Sequence, residues 1–301
     1  MHKRSDNRLE MERTSVTTED GSLTDKNKKP VSGGLKDSWL TTCRNLMGSG
    51  THKPSFAVLD LGQSGCITLA KWFRDRKDIA FQEKILSRAV RFPRLSVHQR
   101  IRQSHSEVYG FSLSVEHLRQ VQNIPNPNQF MQDLRRSGAR VIYLQRQDVL
   151  RHAIATLKAN STQYPFDVDE TLIELDPDTK STSAGRIAVD TQELLDCLNY
   201  LDNQRIEAQA ILHGIPHLTL IYEDDLMNPN TYLATAQRLS EFLEIPPLKP
   251  TGSPLKLVHQ RLSDIVTNYD EVHRAVEASD YAYLLSDSRH LLTSLSTPTH
   301  T

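Results

Sequence analysis

Two short stretches carry the residues best suited to chemistry. Residues 62–68 read GQSGCIT, with Gly62 and Gly65 bracketing Gln63 and Ser64, and Cys66, Ile67 and Thr68 beyond. Glycines let a backbone turn tightly and approach a ligand, and the free N–H groups at a helix start point at an anion. Ser64 and Thr68 would add hydroxyl donors. The second stretch, QRQDVLRHAIAT from Gln145 to Thr156, places Arg146 directly after an apolar run. A guanidinium at the carboxyl end of a strand can hold a phosphate through two parallel hydrogen bonds. Asp148 is placed to cap the helix that follows. The plain alternatives are an ordinary strand-to-helix turn for the first stretch and a structural Arg–Asp pair for the second.

The elements that must position these residues share a pattern. Phe56 to Phe73 and Arg140 to Ala159 each open with an apolar run of strand length, turn polar, and continue with apolar residues at helical spacing. Further along, Ile79 to Phe81 reads as a short strand, Arg88 to Arg102 as a basic, solvated helix or loop, and Phe111 to Gln122 as a helix. Asn123 to Gln129 is a turn with two prolines, followed by a helix over Phe130 to Ser137 with Gly138 as its C-cap. Val141 to Leu144 is a buried strand, with a helix from about Asp148 to Ala159. Val189 to His213 is a long helix, with Leu194, Leu195, Leu198, Leu201 and Ile211 as its core-packing side. His217 to Leu226 is a strand ending in acids, and Thr231 to Leu243 and Tyr269 to Leu285 are helices. Strands alternating with helices predict a three-layer α/β fold with a parallel sheet flanked by helices, in one domain over 54–286. Residues 1–53 read as a flexible polar tail with a short amphipathic piece near Trp39 to Met47. Asn160 to Ala184 reads as a long loop, Thr251 to Leu262 as irregular, and 287–301 as a polar tail.

Composition narrows the function. The chain has 301 residues, 38% hydrophobic and 24% charged, enough for a substantial core. A formal net charge of -1 gives no electrostatic case for nucleic acid or an anionic membrane as partner. Cys43, Cys66 and Cys197 lie far apart and form neither a CxxC pair nor an even framework, so a reducing compartment fits best. The N-terminus lacks the apolar run of a secretory signal, and no stretch is long and apolar enough for a membrane helix, so a cytoplasmic protein is the expectation. The 12 histidines show no HExxH spacing, so no metal is expected. Residues 62–68 lack the lysine of a GxxxxGK[ST] loop, and QSG is not a GxSxG nucleophile elbow. Glu223 to Asp225 could be a Mg²⁺ site but reads better as a strand-end cap.

Taken together and in order, the segments resemble the sulfotransferase superfamily, in its bacterial nodulation-type form. In that family the first strand leads into a P-R-S-G-S-T loop, which GQSGCI matches in place. DIAFQEKIL (78–86) is similar to a segment ending in Gly-Glu, and GFSLSVEHL (110–118) to a G-F-K-L segment. VIYLQRQDVLRHAIA resembles V-I-x-L-x-R-R-D followed by A-V-S, IYEDDL a strand ending Y-E-D-L, and LSDIVTNYDEV (262–272) the L-x-D-x-I-x-N-Y-x-E-L region. The resemblance covers Phe56 to about Leu285 and implies a P-loop-like sulfotransferase fold. The donor would be 3′-phosphoadenosine 5′-phosphosulfate (PAPS), and the acceptor a hydroxyl on a carbohydrate or other small molecule. Gln63, Ser64, Gly65, Cys66, Ile67 and Thr68 would then form the 5′-phosphosulfate loop. Arg146 would hold the 3′-phosphate, with Thr156 beside it. Tyr222 would lie near the adenine, and Glu83 would be the general base.

The departures from that pattern are specific. Gln63 replaces the loop arginine, Cys66 and Ile67 replace two hydroxyl residues, Gln147 replaces the second arginine, Ala155 the serine and Ser112 the lysine. Transfer of this kind rests on positioning and on stabilising charge at the moving group. A catalytically inactive, sulfotransferase-like nucleotide-binding or scaffold protein is therefore the alternative, and a kinase-like nucleotide binder a third reading. Lys71, Arg100 or Arg102 are the basic residues that could compensate.

Overall fold

The computed structural model of the chain describes residues 53–161, 186–250 and 261–286. The expectations for the N-terminal tail, the 160–184 loop, the 251–262 segment and the C-terminal tail lie wholly or mostly outside the described residues. Every described residue belongs to one unit, Thr51–Thr301.

Continuous apolar runs make the two central strands. β1 (Ser55–Asp60) is buried along its whole length, and β4 (Ala139–Gln145) is buried at five of its seven positions. A strand with helices on both faces has no solvated side, so it reads as unbroken Val, Ile, Leu and Phe. β2 (Ile79–Gln82), β3 (Val108–Ser114) and β5 (Leu218–Ile221) complete a sheet of order β2-β3-β1-β4-β5 in which every pairing is parallel. Alternate residues of β1 serve opposite faces. Ala57 and Leu59 pack with Val97 and Ile101 of α2 (Pro93–Gln103), Met131 and Leu134 of α3 (Pro127–Arg136) and Ile211 of α5 (Thr191–Leu212). Phe56 and Val58 pack with Leu69, Trp72 and Phe73 of α1 (Cys66–Arg74) and Leu239 and Leu243 of α6 (Tyr232–Leu243). A third cluster joins α4 (Val149–Ser161) and the N-terminal half of α5 to α7 (Leu262–Ile265) and α8 (Tyr269–Glu277).

The α/β class and the parallel sheet agree with the sequence reading; three elements differ, and the basic stretch takes the helical of its two readings. Residues 111–114 are strand, not helix. Tyr109, Phe111 and Leu113 face one core while Gly110, Ser112 and Ser114 face the other side, a period of two rather than 3.6. Gly110 is required there, since a Cβ would lie 2.1 Å from Phe56 Cζ. A π-helical turn, His117–Val121, follows, its start fixed by the His117 amide donating to Ser114 Oγ at 3.1 Å. The basic stretch forms α2, begun by Pro93 and buried along Val97 and Ile101. The strand from His217 stops at Ile221, where a π-helical turn, Tyr222–Met227, takes over. The last helix ends at Glu277, and turns continue to Ser286. Two further helix starts are capped by side chains. Asp190 accepts from the Gln192 and Glu193 amides at 2.9 Å, and Asn126 from Gln129 at 3.0 Å.

Because Phe111 is fully buried in an interior strand, Phe111→Ala should lower the unfolding free energy by about 3–5 kcal/mol in denaturant titration. A loss under about 0.5 kcal/mol, as at an exposed helix surface, would contradict the strand assignment.

Candidate functional site

β2 and β3 lie on one side of β1, and β4 and β5 on the other. Connections leaving β1 and β4 therefore run in opposite directions. The crevice at their carboxyl ends is the place where open parallel sheets bind ligands. Both chemistry-bearing stretches open into it.

The first becomes a tight loop leading into α1. Gly62, Gln63 and Gly65 all have left-handed backbone, with φ of 74°, 42° and 90°. Its shape is held from within: Asp60 Oδ1 accepts from the Gly62 amide at 2.7 Å, and buried Ser64 donates from Oγ to the Gly62 carbonyl at 2.8 Å. Gly65, the N-cap of α1, makes no side-chain cap, so the first-turn N–H groups of Cys66, Ile67 and Thr68 have no acceptor within the helix. Gln63 to Thr68 thus form one continuous turn into α1.

Arg146 joins that loop to the next two strands. Its Nη1 donates to the Gln63 carbonyl at 3.2 Å, its guanidinium lies 4.4 Å from the Tyr222 ring centroid, and its Nε is 3.6 Å from Glu223 Oε1. Tyr222 in turn lies against Gly65, where a Cβ would sit 2.2 Å from Tyr222 Cδ2. Glu223 accepts from the amides of Gln147 at 2.8 Å and Asp148 at 3.4 Å, and so shapes the turn after β4. Arg146 therefore finds its acid in Glu223. Asp148 pairs with Arg151 at 3.1 Å and caps α4 by accepting from the Arg151 amide at 2.9 Å. Thr156 lies further along α4, with Oγ1 donating to the His152 carbonyl at 2.9 Å; no contact joins it to the loop among the described residues.

Three residues that sequence reading passed over, His152, Arg205 and Asp60, complete the crevice. His152, fully buried, donates from Nε2 to the Gly62 carbonyl at 2.7 Å, leaving Nδ1 without a partner. Burial pushes its pKa down to about 4, aided by the nearby Arg146 and Arg205. Arg205, from α5, donates to the Arg146 carbonyl. Asp60 ends β1, and burial pushes its carboxyl up to about 6, opposed by the Gly62 amide, Lys84 and Cys66. Burial also holds the Cys66 thiol well above its ordinary value, with Asp60 next in effect. Ser112 accepts from the Lys84 amide at 2.8 Å through Oγ and from the Ile85 amide at 3.2 Å through its carbonyl, fixing the turn that carries Glu83. Lys84 there has left-handed backbone, φ 49°. Glu83 stands close enough to Asp60 and Cys66 to raise both. The signal for Asp60 was present as a lone carboxylate ending an apolar strand; the distant Arg205 carried none.

Of the basic residues considered as compensation, Arg100 is engaged with Gln82 Oε1 at 3.0 Å, while Arg146 and Arg205 act on His152 and Lys84 on Asp60. Asp225 accepts from the Ile221 amide, Thr235 and Arg238, which makes it a structural cap at the end of β5. Among the described residues no cluster of three or more His, Cys, Asp or Glu could hold a metal ion, and no helix is long and apolar enough to cross a membrane. A separate open groove of about 310 Å³ lies over β4 and β5, lined by Tyr143, Gln145, Gln209, His213, His217 and Thr219 among others. No protein-family model matches the chain, and no curated protein matches it significantly in sequence.

Two measurements check this geometry. Gly65→Ala must displace Tyr222 as well as strain the backbone, whereas Gly62 has open space and meets only the left-handed penalty, about 1–2 kcal/mol. Denaturant titration should show a clearly larger loss for Gly65→Ala; equal losses would contradict the contact. The buried acid and base should have opposite pH signatures. Between about pH 4 and 6 folded Asp60 keeps a proton that the unfolded chain releases, so its contribution falls as pH rises. Between about pH 4 and 6.5 His152 is neutral when folded and charged when unfolded, so its contribution rises with pH. From pH 4 to 7, wild type should lose on the order of 3 kcal/mol relative to Asp60→Asn and gain a similar amount relative to His152→Gln. Parallel profiles would contradict the burial of either group.

Proposed function

We propose that the chain is a cytoplasmic, PAPS-dependent sulfotransferase acting on a hydroxyl of a carbohydrate or other small acceptor. The observation that carries the reading is the convergence, at the carboxyl ends of β1 and β4, of a left-handed glycine loop opening α1 and a guanidinium braced on Tyr222. First-turn amides without an acceptor in the helix suit an anionic group, and the buried Nε of Arg146, which makes no hydrogen bond, is a donor of the kind a phosphate takes. The donor nucleotide supplies an activated sulfuryl group. In this reading the amides of 66–68 and Thr68 seat the 5′-phosphosulfate and Arg146 the 3′-phosphate. The acceptor oxygen forms a new bond to sulfur as the bond from sulfur to the bridging oxygen breaks. The hydroxyl proton passes to Glu83, and the electron pair leaves with adenosine 3′,5′-bisphosphate. Ser112, by holding the Lys84 turn, sets where Glu83 stands.

A second reading, nucleotide binding without transfer, is favoured by one observation. The loop carbonyls of Gly62 and Gln63 are already engaged by His152 and Arg146, and Gln63 and Ile67 bring neither cation nor hydroxyl to the transferring group. Restoring Gln63→Arg separates the two, since a gain in sulfated product fits a weakened enzyme and no gain fits a silent one.

Calorimetric titration with adenosine 3′,5′-bisphosphate tests the shared premise. Micromolar binding is expected for wild type, weakened roughly ten-fold or more in Arg146→Ala. Absence of binding by folded wild type would overturn the nucleotide reading.

A further inference from the structure

Several arginines of the fold have an acid of their own. Arg151 pairs with Asp148, Arg238 with Asp225, and Arg119 with Glu207. Arg205 does not: among the described residues its recorded hydrogen bond is to the main-chain carbonyl of Arg146, and its Nε is buried without a partner. Arg146 has an acid in Glu223, but its buried Nε makes no hydrogen bond, and Glu223 is already accepting from two backbone amides. Arg205 thus reaches from α5 to the main chain at the end of β4, and both guanidiniums act on His152. Each has a buried Nε–H that makes no hydrogen bond. Leaving such donors unpaired is unfavourable. An anion with several oxygens supplies the missing acceptors, and the planar fork of arginine matches phosphate.

Resting on the sulfuryl-donor reading, we propose that Arg205 and Arg146 together form a two-arginine seat for the 3′-phosphate of the donor nucleotide. Arg205 supplies from α5 the second cation that Gln147 does not. The seat sits beside the loop rather than under it, because the Arg146 guanidinium that receives the phosphate also touches Gln63. Arg205 is then a specificity-determining residue: it distinguishes nucleotides with a 3′-phosphate from those without. His152, which holds the Gly62 carbonyl with Nε2, is a positioning residue for the loop and not a ligand of the phosphate.

The test is calorimetry on the full chain with adenosine 3′,5′-bisphosphate and with adenosine 5′-monophosphate, for wild type, Arg205→Gln and Arg205→Lys, with denaturation midpoints recorded for each. Arg205→Gln should weaken the bisphosphate roughly ten-fold or more, the factor that about 1.4 kcal/mol represents. It should leave the monophosphate within about two-fold, and Arg205→Lys should recover part of the loss. A loss common to both ligands, or a bisphosphate affinity unchanged by Arg205→Gln, overturns the proposal while leaving the donor reading in place. A folded wild type that binds neither ligand overturns both.

Discussion

One guanidinium sets the carboxyl edge of this sheet. Arg146 reaches the Gln63 carbonyl, the Tyr222 ring and the Glu223 carboxylate, and so ties the ends of β1, β4 and β5 to one another. Each partner depends on a local choice of residue. Gly65 has no side chain where Tyr222 must lie, Gln63 adopts a left-handed backbone that turns its carbonyl toward the arginine, and Glu223 opens a π-helical turn instead of continuing a strand. Backbone in such sparsely populated conformations persists only where its surroundings fix it, and it concentrates at functional sites.

The same edge holds a buried acid and a buried base. Asp60 and His152, both buried, grip the first loop from opposite sides, through the Gly62 amide and the Gly62 carbonyl. Burial favours the neutral form of each, the acid protonated longer and the base deprotonated sooner. Their pH dependences oppose, so the loop is held across the mildly acidic range without either group being fully charged at its lower end. On the other side of β1, Ser112 occupies a small-residue row of β3 beneath α1 and holds the turn bearing Glu83 and Lys84. A serine at that position serves the neighbouring turn through its oxygen, which a longer basic side chain would not do in the same way.

What the sequence made legible was local. The unbroken runs of β1 and β4 declared a two-sided parallel sheet, and GQSG before CITLA declared a turn into a helix; both follow from near neighbours. β3 was misread because Leu113, Leu118 and Val121 mimic a helical spacing. The decisive alternation of Tyr109, Phe111 and Leu113 with Gly110, Ser112 and Ser114 acquires meaning only when Gly110 is set beneath Phe56. The loop and Arg146 were visible as separate pieces. Asp60 carried a signal that was passed over, as the lone carboxylate ending an apolar strand, but Arg205 carried none, since it lies 59 residues from the carbonyl it contacts and nothing in a single chain's order announces that pairing.

The central claim is that the crevice between β1 and β4 is where an anionic nucleotide binds. Hydrogen–deuterium exchange with and without adenosine 3′,5′-bisphosphate addresses it most directly, because it reports on the loop amides themselves. Slowed exchange confined to peptides spanning 62–69 and 146–152 is the predicted result. Unchanged exchange there, or protection only over the β4–β5 groove around 209–219, would contradict the account.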